Sequence, residues 1–271
     1  MREIIAAAQI TISLLALTYA SWSDYKTREV INRVWVIYAP IALALSLAEM
    51  LLFEPSQLLF FGLSFGVTAG IALLLFYAGG FGGADSKALM CIALSLPFAP
   101  LVLFTPLLAE AISPTSQLIF PITIFGNAVL FAAASGVYMI LRNFIWHKKT
   151  KTKMFQGTLA SESIAKKFIV LITGYRMSVS KVKEKWHIFP LEDIEELDVN
   201  PKRKLVVVPH DDEGREKIVE RLSKAAEEGK IDGFVWATPG LPMLIFVTLG
   251  LIVAVSLGDF VWLLVRLFLG A

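Results

Sequence analysis

Two aspartates set the question this chain poses. Asp24 follows the first long apolar block, and Asp85 opens the fourth. A carboxylate beside the hydrocarbon of a bilayer is costly to keep, so one found there is a candidate for function. Two carboxylates that share a site cannot both ionise easily, and one retains its proton. The ionised member can then take a proton from water while the protonated member polarises a carbonyl. That division of labour hydrolyses a peptide bond without a covalent intermediate. Position alone leaves a second reading open, in which Asp24 and Asp85 are unrelated helix caps.

Other chemistries find less support. A serine nucleophile needs a nearby base, usually histidine, and His147, His187 and His210 all lie outside the apolar blocks. No H-E-x-x-H pair is present. The single cysteine, Cys91, can form neither an internal disulfide nor a cysteine-based zinc site. No metal or cofactor is therefore expected. Glycine-rich nucleotide loops are missing from the sequence. A net charge of +2 gives no reason to expect nucleic acid. Glu49, Glu54, Glu110 and Asp259 fall near the outer ends of apolar blocks, where solvation is easy, and Glu3 lies beside Arg2 at the start of the chain. Glu29 sits in a basic loop with Arg28 and Arg33 as possible partners.

The elements that must position the aspartates are apolar. Of 271 residues, 56% are hydrophobic, and the mean hydropathy is +0.67. Six blocks are long enough to cross a bilayer: 4–22, 34–53, 57–79, 86–108, 118–145 and 240–269. The first has no basic leader and no small-residue cleavage site, so it reads as a retained helix. The fourth carries Pro97, Pro100 and Pro106 and is expected to kink or end early. Gly62, Gly66 and Gly70 recur at four-residue spacing, a pattern that favours close helix packing. Lys26, Arg28 and Arg33, and the run from His147 to Lys153, mark cytoplasmic connections. With six crossings, the N-terminus lies outside, and both aspartates lie on the cytoplasmic side.

The expected architecture is an α-helical polytopic membrane protein with six transmembrane helices. Residues 1–146 form the membrane core, 147–236 a small cytoplasmic soluble α/β domain, and 237–271 the last helix. Within the insert, Phe168–Ile172 and Leu205–Val208 read as short buried strands, bounded by Gly174 and Pro209. Glu213 to Glu228 reads as a helix presenting Ile218, Val219 and Leu222 on one face, ended by Gly229. Glu192, Asp193, Glu195 and Glu196 read as a solvated helix face.

Local motifs add a resemblance. Gly82-Gly83-Ala84-Asp85 resembles the G-x-G-D motif of type IV prepilin peptidases and archaeal preflagellin peptidases, the A24 family of membrane aspartyl proteases. Ser23-Asp24-Tyr25-Lys26-Thr27-Arg28 with Ile31-Asn32 is similar to that family's first aspartate region, and Thr238-Pro239-Gly240-Leu241-Pro242 to a third family feature. The resemblance implies that Asp24 and Asp85 are catalytic. It also implies that a short basic leader is cut from preflagellins or prepilins at the cytoplasmic membrane face. Ala84 departs from the motif's second glycine, and its methyl limits positive φ there; archaeal relatives tolerate this form. Bacterial relatives that also methylate the new N-terminus carry a four-cysteine zinc segment, which a chain with only Cys91 cannot build. Peptidase activity without methyl transfer is expected.

The helix dipole favours an ionised Asp85 at a helix start and a protonated Asp24 at a helix end. Gly82, Gly83, Lys87 and Glu29 are candidates for positioning the loop or substrate. Glu29 or the acidic residues of the insert could meet a basic leader. Lys26, Arg28 and Lys87 face either anionic headgroups or the dyad. Two rival classes remain. A carboxylate-dependent transporter would place its acids near the midplane and carry internal repeats, and neither feature is present. A non-enzymatic module binding flagellin or pilin subunits would tolerate loss of either aspartate. A presenilin-like protease would carry its aspartates on late helices of a longer chain. The sequence does not fix an oligomeric state.

Overall fold

The computed structural model describes residues 1–194, 202–207 and 212–270. It is mostly helical and divides into two compact units, one of residues 1–132 with 242–271, the other of residues 133–241.

The first unit starts with α1 (Arg2–Thr27) and α2 (Arg33–Phe53), an antiparallel pair. Arg2 ties their far ends together, reaching Glu49 at 3.2 Å and Glu54 at 2.5 Å. After a 3₁₀ turn come α3 (Leu58–Tyr77) and α4 (Gly83–Ser95), then α5 (Pro114–Leu118) and α6 (Phe120–Thr150), which runs on into the second unit. The chain returns with α10 (Met243–Ser256) and α11 (Phe260–Leu269). Among the described residues, α1, α2, α3 with its 3₁₀ turn, and α6 are long and apolar enough to cross a membrane. The pair α10 and α11 qualifies as a fifth passage only when taken together, because it bends by 67°.

The fourth apolar block does end early, as its prolines predict. Helix α4 has 13 residues, about 20 Å at 1.5 Å per residue, against a hydrocarbon core of about 30 Å. Helices α1, α2 and α3 pack around it. A helix that stops inside apolar surroundings leaves carbonyls without partners. Serines of neighbouring helices supply them. Ser46 donates to Leu94 O (2.6 Å) and Ser95 O (3.2 Å), and Ser64 donates to Pro97 O (2.9 Å). A buried polar network extends from this point. Tyr38 donates to Ser13 Oγ (2.7 Å), Ser13 to Ser95 Oγ (3.0 Å), and Gln9 to Ser46 Oγ (3.1 Å).

The break between α10 and α11 is equally built. Asp259 caps α11, accepting from Trp262 N–H (3.0 Å) and from the hydroxyls of Ser113 (2.6 Å) and Thr123 (3.1 Å). Asn127 donates to Gly258 O and accepts from Phe260 N–H, both at 2.9 Å. Gly258 has φ +105, and a Cβ there would lie 2.5 Å from Ala111 Cβ, so no other residue fits. Asp259 is therefore a buried node, 4% exposed, and not the solvated interfacial residue its place near a block end suggested. The Gly62–Gly66–Gly70 stripe also departs from expectation. Added Cβ atoms would meet nothing within 4 Å. Helix α3 packs instead through Phe61, Ser64, Thr68 and Ala72.

The second unit contains the small sheets. Strands β1 (Tyr175–Ser178) and β2 (Phe189–Pro190) flank β5 (Phe234–Thr238), all antiparallel. Strands β3 (Glu192–Ile194) and β4 (Arg203–Leu205) form a separate ribbon. Helices α8 (Val179–Glu184) and α9 (Asp212–Glu227) cover a core that includes Ile218, Val219 and Leu222, the face the periodicity predicts. Three expectations are corrected. Residues 168–172 are not a strand but part of α7 (Ile164–Thr173), capped by the Ser163 hydroxyl, which accepts from Lys166 N–H. Their run of branched residues carries strand propensity, which tertiary packing overrides. The strand expected at Leu205–Val208 covers Arg203–Leu205, and Val208, Pro209 and His210 lie outside the described residues. Glu192 and Asp193 are not on a solvated helix face. They lie on β3, where Glu192 is fully buried and takes Arg203 at 2.8 Å and Trp236 N–H at 2.9 Å. Glu195 and Glu196 lie outside the described residues.

Candidate active site

Asp24 occupies the last turn of α1 and is half-buried. The turn that follows is held tightly. Arg28 adopts the left-handed conformation (φ 58) and donates its N–H to Asp24 O at 3.0 Å. The hydroxyls of Ser23 (2.7 Å) and Thr27 (3.0 Å) both donate to Glu29 O.

Asp85 is the third residue of α4, also half-buried. Its Oδ2 accepts the N–H of Gly82 at 3.0 Å, which fixes the carboxylate against the helix start. Acidic groups in a first helical turn are favoured by the free amides and the dipole. A Cβ on Gly82 would lie 3.1 Å from that same oxygen, so glycine leaves the carboxylate its place. Ala84 sits in the helix with ordinary negative φ, so its methyl causes no backbone conflict.

These two aspartates belong to helices that touch, α1 and α4. Lys87 ties the start of α4 to the start of α2, donating to Asn32 Oδ1 at 2.7 Å. Ser86 ties it to α3 through Ala72 O at 3.2 Å. Lys87 thus has a structural partner, and Lys26 lies over the Trp22 ring at 4.4 Å. A Cβ added at Gly83 would lie 3.8 Å from the Phe76 ring, and the Glu29 side chain is exposed. Sequence reasoning missed Gln9, Ser13, Tyr38, Ser46 and Ser95. A glutamine four residues before a serine inside an apolar block was the available signal. Among the described residues, no group of three or more metal-ligating side chains occurs.

Residues 11–141, which include both aspartates, match the Type IV leader peptidase family. Residues 166–260 match the Archaeal Peptidase A24 C-terminus Type II. Curated relatives named preflagellin peptidase align over 92% of this chain. The protein of Methanococcus voltae is 27% identical over 94% of its length. That of Methanococcus maripaludis is 24% identical over 94% of its length, and that of Methanocaldococcus jannaschii 24% over 93%. Matches to both halves, in chain order and over the same course as these relatives, lead to one assignment: the chain is a peptidase, similar along most of its length to the type IV leader peptidase family and to the archaeal A24 C-terminus.

Proposed function

We propose that this chain is a membrane aspartyl endopeptidase that removes the short basic leader of preflagellin-like or prepilin-like proteins. The observation that carries the reading is geometric: the helices of Asp24 and Asp85 touch, and Lys87, two residues after Asp85, reaches Asn32 at 2.7 Å, in the connection that leaves the helix of Asp24. One carboxylate takes a proton from water, which attacks the scissile carbonyl. The other, protonated, donates to the carbonyl oxygen as the tetrahedral centre forms. The Gly82 N–H at Asp85 suits the ionised role, and Asp24, beside the carbonyls of a helix end, suits the protonated one. The pair titrates as a unit.

The proposal extends to the membrane. The basic residues Lys26, Arg28, Arg33 and Lys87 set the aspartates on the cytoplasmic face, with the Arg2–Glu49–Glu54 cluster on the other. Six passages require α4 with the segment after it as the fourth, and α10 with α11 as the last. A hydrophobic substrate helix anchored by a basic leader presents its scissile bond near the dyad. With Cys91 as the only cysteine, no methyl transfer accompanies cleavage.

The test uses purified protein in lipid with a preflagellin-like substrate. Wild type should release the leader, while Asp24→Asn and Asp85→Asn should each abolish release yet elute and melt like wild type. Equal cleavage by all three forms would make the aspartates structural. Binding of the uncleaved precursor without turnover by any form would favour an assembly module.

A further inference from the structure

Helix α7 is built inside out for a soluble helix. Its buried face carries Val170, packed with Leu159, Leu191, Leu205 and Trp236. Its two lysines are held beside that face. Lys166 pairs with Glu162 at 3.1 Å, and Lys167 donates to Ala160 O at 2.6 Å. The opposite side is wholly apolar. Ile164 is 84% exposed, Phe168 55% and Ile169 36%. Helical spacing puts Ile164, Phe168 and Ile172 on one stripe.

That stripe leads to α6. Ile172 packs at Gly136, where an added Cβ would lie 3.7 Å from Ile172 Cβ. Asn143 donates to Leu171 O at 3.0 Å and Gly174 O at 2.8 Å. The C-terminal half of α6 presents its own exposed apolar residues, Val137, Tyr138, Leu141, Phe144 and Ile145. Helix α6 is 31 residues long, about 46 Å, which exceeds the roughly 30 Å core. Gly136 falls 16 residues after Phe120, about 24 Å along the helix and so within that core. Beyond it come Trp146 and the exposed lysines Lys148, Lys149, Lys151 and Lys153. Arg142 lies 3.7 Å over the Tyr175 ring and Arg176 5.7 Å from the Trp146 ring. Aromatic and basic residues in that order mark a membrane–water boundary.

We propose that the apolar face of α7 is inserted in the bilayer leaflet surrounding the C-terminal half of α6. The insert is thereby a lipid-docked unit, and its basic run meets anionic headgroups. The occupant is lipid because the face continues one already turned to lipid on a membrane-crossing helix, with cationic residues at the boundary.

Spin labels on single cysteines in full-length Cys91→Ala protein, reconstituted in vesicles containing anionic lipid, test this. Positions 164, 168 and 169 are compared with Leu59, 80% exposed on α3, and with Lys183, exposed on α8. The expected result is high collision with oxygen and low collision with a water-soluble nickel chelate at all three, as at Leu59. Nickel access equal to that at Lys183 overturns the proposal by putting α7 in water. Immobile labels shielded from both reagents overturn it by showing a protein cover. Because these side chains are exposed, labelling strains no packing, and at least two of the three positions must agree.

Discussion

At the residue scale, the position of one carboxylate oxygen depends on the absence of a single methyl group. Gly82→Ala brings Cβ to 3.1 Å of Asp85 Oδ2, tighter than an ordinary contact, while Gly83→Ala meets only the Phe76 ring at 3.8 Å. Displacement of a reacting group by a fraction of an ångström lowers turnover, and about tenfold is expected for Gly82→Ala. Gly83→Ala should be near neutral. Steady-state cleavage with KM and kcat separated checks the pair, the loss appearing in kcat. Asp24 and Asp85 stand out as candidates in the sequence because a charge at the edge of an apolar block is conspicuous. Glu192 was misread for the same reason in reverse. An acidic run looks solvated until a distant Arg203 and Trp236 N–H are seen to enclose one member of it. Removing one partner of a buried ion pair costs about 3–5 kcal/mol. Glu192→Ala should therefore lower the unfolding temperature by many degrees, read by calorimetry or a thermal-shift assay.

At the scale of elements, apolar block lengths gave four crossings directly, whereas the interruptions depended on partners far along the chain. Helix α4 can stop where it does because Ser46 and Ser64 take its last donors' place at the carbonyls. The bend before α11 exists because Asp259 finds two hydroxyls and an N–H. No local pattern encodes such encounters. Tyr38→Phe, which frees Ser13 of a donor, should cost about 1 kcal/mol. Asp259→Ala loses a helix cap and strands Ser113 and Thr123, for about 2–3 kcal/mol. Denaturation in a fixed detergent compares the two. The start of α7 offers a pH test. Burial opposes ionisation of Glu162, but the Leu205 N–H at 2.9 Å and Lys166 outweigh it and hold the carboxyl below its ordinary 4.5. This contribution is complete above that ordinary value and is lost as pH falls through the lowered one. Glu162→Gln should flatten the acid limb of a stability–pH curve by lowering stability at neutral pH, leaving stability in acid nearly unchanged.

At the scale of the whole molecule, the positions of charge yield a sidedness test. Cysteines at Lys87 and Lys153 should react with an impermeant maleimide from one face of sealed vesicles, and a cysteine at Glu54 from the other. Labelling of all three from one face would refute the orientation proposed for the dyad. Charge placement in the sequence already carried this reading. In the insert, α9 was legible from its periodicity, whereas α7 was not, since its branched residues read as strand and its helical state depends on tertiary packing.

The shortness of α4 also has an electrical consequence. A cavity of about 660 Å³ lies past its end, with Arg2, Gln9, Glu49 and Ser95 set in an otherwise largely apolar lining, and it is large enough to hold water. Filled, it would carry the potential of the bath on that side down to the end of the helix. The membrane voltage would then drop across roughly 20 Å instead of 30. With about 2.3 kcal/mol per elementary charge for each 100 mV crossed in full, a proton moving near the opposite end of α4 would do so in a steepened field. Protonation of the aspartates would then respond to the energised state of the membrane as well as to pH.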